Sequence, residues 1–137
     1  MNLHKMIAFG AILLASLLET LGSANALDLN GAWVSDPDNC TKVFALNGAQ
    51  VGFTDKSDVY GGGFIINGDQ IVGKFARCRI KARKDNGPYV NMVATCATDI
   101  MLSNVQFSLK ELDANSLIRL FPGMDDIEIR YHRCTAK

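Results

Sequence analysis

The chain has 137 residues, with 14 Lys and Arg balancing 14 Asp and Glu, so its formal net charge at pH 7 is zero. That balance gives no overall field toward nucleic acid or anionic membranes. The length suits one domain, and two histidines leave little for histidine-based catalysis.

The first segment reads as an address. Lys5 supplies a positive start, Met6 to Leu18 (MIAFGAILLASLL) is apolar but shorter than the ~20 residues of a membrane-crossing helix, and Ala24-Asn25-Ala26 offers the small residues that a signal peptidase accepts. Residues 1–26 are therefore expected to form a cleavable signal peptide. The mature domain, 27–137, then has its location in the periplasm or outside the cell and no membrane span. Its four cysteines, Cys40, Cys78, Cys96 and Cys134, suit two disulfides made in an oxidising compartment. Zinc sites use closely spaced cysteine pairs, and C-x-x-C does not occur here.

Short β-branched and aromatic runs follow, punctuated by Gly, Asn and Asp, and predict an all-β domain. Strands are expected over 31–35, 42–46, 49–54, 63–67, 70–82, 89–98, 104–112, 117–121 and 127–133. Asn47-Gly48 and Asn67-Gly68 mark tight hairpins. Asp36 to Asn39 and Thr54 to Gly63 read as irregular, with Gly61-Gly62-Gly63 as a hinge. Val105, Phe107 and Leu109 alternate with polar neighbours, as do Ile127, Ile129 and Tyr131, so each run has one dry face. Short connections favour an antiparallel meander of about eight strands. Closure into a barrel hides its edges, with a two-sheet sandwich as the alternative. Strands this short favour a barrel filled by side chains.

The segment from Cys78 to Cys96 reads as a hairpin around Asn86-Gly87-Pro88. A two-residue loop at Asn86-Gly87 would ask Pro88 for a backbone N–H that it lacks. A five-residue loop, Asp85 to Tyr89, avoids this and sets Cys78 opposite Cys96. A Cys78–Cys96 bond with Cys40–Cys134 is the preferred pairing among the three that four cysteines allow. The same register places Arg77, Arg79, Lys81 and Arg83 on one wet face, either solvated or docking an anionic partner.

Catalytic, cofactor-binding and metal-ligating residues are not indicated. The motifs of serine hydrolases, zinc proteases and phosphate-binding loops do not occur, and Asp36, Asp38 and Asn39 suit a capped turn better than calcium. His132 lies on a wet strand face between Arg130 and Arg133. The expected function is therefore non-catalytic binding of a protein or anionic envelope component through loops and the basic face. The alternatives are a carrier of a small apolar ligand and an envelope structural or stress protein. Oligomeric state is not legible.

Leu29-Asn30-Gly31-Ala32-Trp33-Val34-Ser35, followed by Cys40, resembles the opening of calycin-type barrels, in which a Gly-x-Trp on the first strand closes one barrel end. The order Gly-x-Trp, Cys, strand is similar to small periplasmic inhibitors of bacterial metalloproteases. The chain also resembles uncharacterised exported proteins of Gram-negative bacteria. The resemblance implies a calycin-like barrel. In the inhibitors an N-terminal arm enters the protease cleft, and Leu27 to Asn30 is too short for such an arm.

Overall fold

The protein is described by a computed structural model covering residues 26–47 and 49–135. The expected signal peptide lies outside these residues, except for Ala26. The elements in order are β1 (Gly31–Val34), a 3-10 turn (Pro37–Asn39), α1 (Cys40–Val43), β2 (Phe44–Asn47), β3 (Gln50–Phe53) and a second 3-10 turn (Ser57–Tyr60). They continue as β4 (Gly63–Asn67), β5 (Gln70–Val72), β6 (Arg77–Asn86), β7 (Tyr89–Ala97), β8 (Leu102–Asp113), β9 (Ser116–Leu120) and β10 (Glu128–Cys134).

Eight strands form a closed antiparallel barrel. Strands β4 to β10 pair in sequence order, and β1 completes the ring by pairing with both β10 and β4. Closure removes the unpaired edges that a sandwich would leave. The β2–β3 hairpin stands outside the ring as a separate two-stranded sheet.

Two cores follow from this arrangement. Inside the barrel, Trp33, Ile66, Ile71, Val90, Met92, Leu109 and Leu117 form one cluster. Outside it, Ala32 and Val34 of β1 pack with Val43 and Phe44. That is why β1 is apolar on both faces. The Cys40–Cys134 disulfide ties this outer layer to β10, and Cys78–Cys96 joins β6 to β7. On chain-entropy grounds the first, closing the longer loop, contributes about 4.7 kcal/mol and the second about 3 kcal/mol. Both bonds belong to a chain folded under oxidising conditions.

The structure corrects four local expectations. The run 70–82 is two strands, parted by a turn in which the Gly73 N–H donates to the Ala76 carbonyl at 2.8 Å. The inward positions change from Ile71 in β5 to Cys78 in β6, so the alternation shifts by one residue across the turn. The run at 42–46 begins in α1, which the 3-10 turn introduces after Asp36 caps it by accepting from the Asp38 N–H at 3.0 Å. Ile127 and Ile129 are exposed, and of the three only Tyr131 packs on the core, because the first two sit where the barrel is open.

The fourth correction concerns the cysteine hairpin. Cys78 does oppose Cys96, but Asn86 pairs with Tyr89, so the loop is only Gly87-Pro88. Gly87 has φ +56°, as the first loop position of a type II′ turn requires, and proline's fixed negative φ suits the second. The register is then restored by a bulge between Ile80 and Ala82. A tighter loop and one extra residue in the strand give the same cysteine pairing.

Candidate functional site

The bulge decides the fate of the basic ladder. A residue inserted on one strand reverses the facing of everything beyond it. Arg77, Arg79 and Lys81 stay exposed and line an outer groove of about 340 Å³ together with Gln70, Val72 and Thr95. Arg79 also pairs with Asp69 at 3.2 Å. Arg83 leaves the face. It lies opposite Met92, a core residue, and so turns to the inner side of the wall.

There Arg83 helps to close one end of the barrel. Its guanidinium donates to Asp85 at 2.7 and 2.9 Å and to the Leu27 carbonyl at 2.6 Å. Asp85 in turn accepts from the Leu27 N–H at 3.1 Å. The Arg83 hydrogen bonds hold the Asp85 carboxyl below its ordinary pKa, against the opposing effect of burial and with help from Leu27.

Trp33 completes the same end. It is 1% exposed, and its indole N–H donates to the Leu29 carbonyl at 2.9 Å. Arg133, opposite Trp33 in the register, lies over the indole at 4.4 Å. Its guanidinium donates to the carbonyls of Asp28, Asn30 and Ala114. Residues 27–30 are thereby laced across the bottom of the barrel.

The other end carries the β5–β6, β7–β8 and β9–β10 connections, and it is open. A cavity of about 310 Å³ runs inward from it, walled by Phe64, Ile71, Met92, Phe107, Leu109 and Tyr131. Phe64 and Tyr131 meet edge to face, with ring centres 4.8 Å apart. The barrel is thus hollow at this end rather than filled. Small residues explain why: Gly61, Gly63, Gly73 and Ala76 also line it, where larger side chains would plug the mouth. Gly63 is further fixed by close approach, since a Cβ there would collide with the Trp33 carbonyl and lie 3.0 Å from Phe44. Gly61 and Gly63 therefore shape the mouth.

Charge is sparse in the cavity. Among the described residues lining it, Arg119 alone is charged. It lies opposite Leu109 on one side and Ile129 on the other. Its guanidinium stacks on Phe107 at 4.8 Å and Phe121 at 5.0 Å, and its Nε is buried without a hydrogen-bond partner. Around the rim, Lys74 reaches from the β5–β6 turn to Asp58 at 2.6 Å and holds that carboxyl below its ordinary pKa. Among the described residues, the five most exposed large apolar side chains, Ile100, Leu102, Val59, Phe75 and Met101, all belong to this end.

Sequence reasoning passes over Arg119 because Leu117-Ile118-Arg119-Leu120-Phe121 is apolar on both faces. An arginine in such a run is the one signal available. Only the pairing with Leu109 says that it points inward. His132 is half-buried beside Val34 and Ser116 in the register. Among the described residues, no group of His, Cys, Asp or Glu is arranged to hold a metal ion. Comparison of the chain with protein-family models, with curated proteins and with solved structures finds no match.

Proposed function

We propose that the mature chain, released by cleavage after Ala26 into the periplasm or the extracellular space, is a non-catalytic binding protein whose barrel takes a small apolar molecule through its open end. The observation that carries this reading is the cavity of about 310 Å³, apolar-walled and open beside an apolar rim. Its size is at the lower end for small-molecule sites, which are concave, mostly apolar and equipped with few polar groups. The calycin-type resemblance supports the same reading, because Trp33 seals the opposite end as that resemblance implies. Nothing in the reading calls for a catalytic step. Protein purified from its native compartment, denatured and analysed by mass spectrometry, should release a small molecule at near-stoichiometric yield. The reading fails if nothing is released and an environment-sensitive apolar dye gains no fluorescence with the protein.

A second reading has its own observation, the outer groove beside Arg77, Arg79 and Lys81. It favours a protein or anionic envelope component docking on the barrel wall, with a binding strength that falls as salt rises. Replacing Arg77 and Arg79 with Gln should abolish salt-sensitive retention on an anionic matrix. Equal retention of both forms removes this reading. If neither site takes anything, an envelope structural or stress role is what remains.

A further inference from the structure

We infer that the interior site selects an amphiphile with an anionic head, a carboxylate on a medium-length apolar tail, and that Arg119 is the group that binds the head. The inference rests on the reading of the cavity as a ligand site and adds the chemistry of what enters it.

The argument starts from how this protein treats arginine. Guanidinium is charged at any relevant pH and presents five N–H donors in a planar fork. Burying it without partners is unfavourable. The two other inward arginines obey this rule. Arg83 is met by Asp85 and the Leu27 carbonyl, and Arg133 by three backbone carbonyls. Arg119 does not: its Nε is buried and unpartnered, and it takes part in none of the three ion pairs among the described residues. Phe107 and Phe121 flank it and attract the cation through their ring faces, but they give the buried Nε no hydrogen bond.

A carboxylate supplies what is missing, since it accepts two parallel N–H bonds from a guanidinium fork. Position agrees with this. Arg119 lies one residue before the end of β9, on the side of the open rim, and shares the cavity wall with the apolar side chains of Ile71, Met92 and Leu109. A head group held at Arg119 leaves the tail pointing into that apolar space. The cavity volume limits the tail to a medium-length chain or a small ring system.

Decanoate and decanol make the test, because they share a tail and differ in head charge. Both are titrated calorimetrically against the full mature chain and against Arg119→Met, which keeps side-chain length without charge. The wild type should bind decanoate at least about tenfold more tightly than decanol, the factor expected of a hydrogen bond to a charged group. R119M should bind both about as the wild type binds decanol. Equal binding of both probes by the wild type overturns the head-group assignment while leaving the apolar site standing. Binding of neither overturns the site itself. A decanoate preference that survives in R119M also overturns the assignment, since the anion is then held elsewhere. If R119M does not fold, Arg119→Lys carries the test: it should lose decanoate affinity and keep decanol affinity, and no change in either counts against the assignment.

Discussion

At the closed end of the barrel Arg83 and Arg133 give their N–H groups to Asp85 and to the carbonyls of Leu27, Asp28, Asn30 and Ala114, whereas at the open end Arg119 meets the ring faces of Phe107 and Phe121. The difference separates two uses of one residue type. Where its donors are satisfied internally, arginine is a fastener, holding the segment before β1 across the barrel base. Where a donor is buried and has no partner among the described residues, it is left for a group that enters the cavity. The contrast extends to the apolar residues. The closed end hides Trp33 almost completely, and the open end exposes Ile100 and Phe75 on its connections. Stability should therefore concentrate at one end and ligand selection at the other.

The strongest way to break that division is at Trp33. Trp33→Ala removes a fully buried ring together with its stacking on Arg133 and should destabilise the barrel by about 3–5 kcal/mol in denaturant unfolding. A loss below about 1 kcal/mol would mean that the closed end is not where stability resides.

Asp85→Asn is expected to have the next largest effect, about 1–2 kcal/mol, because it weakens hydrogen bonds to Arg83 and the Leu27 N–H. The same residue makes a pH prediction. Its folded pKa lies below the ordinary value of 3.8, so its contribution is complete above that value and is lost as pH falls through the lower folded one. D85N should therefore flatten the acid limb of the stability–pH curve below about pH 4 and leave its neutral part level. An unchanged acid limb in D85N would show that Asp85 is uncoupled from folding.

A smaller effect is expected at the chain start. Cleavage after Ala26 would turn the Leu27 N–H, 3.1 Å from the Asp85 carboxylate, into a charged ammonium. Protein beginning at Leu27 should melt slightly higher than protein carrying a few extra residues before it, by up to about 1 kcal/mol. The gain should vanish in D85N. A gain that persists there would place the effect elsewhere.

Smallest of all should be the stability change in R119M, since removal of the buried, unpaired Nε offsets the lost stacking. Thermal melting within a few degrees of wild type sharpens the comparison, because ligand preference then changes without the fold. A large loss would make Arg119 another fastener.

Much of this architecture was legible in the chain. Val105, Phe107 and Leu109 announced the dry face of β8, and Gly-x-Trp announced an apolar first strand. The cysteine spacing around a turn led to the pairing of Cys78 with Cys96, although the route differed. A five-residue loop and a two-residue loop followed by a bulge leave those cysteines in the same register. The two routes differ only beyond Lys81, which is why Arg83 was assigned to the wrong face. The open cavity was not legible either, since Gly61, Gly63, Gly73 and Ala76 lie far apart in sequence and define a mouth only where their turns converge.

The sequence by itself determined most of the strands, the cysteine pairing and the lack of net charge, because alternation, turn chemistry and composition are local or additive properties. Tertiary structure decided the inward turn of Arg83, the hollow end and the unpaired Nε of Arg119. Each depends on which strand lies beside which, and in what register. In an antiparallel barrel one inserted residue, or one arginine in a run apolar on both sides, takes its meaning from a partner elsewhere in the chain.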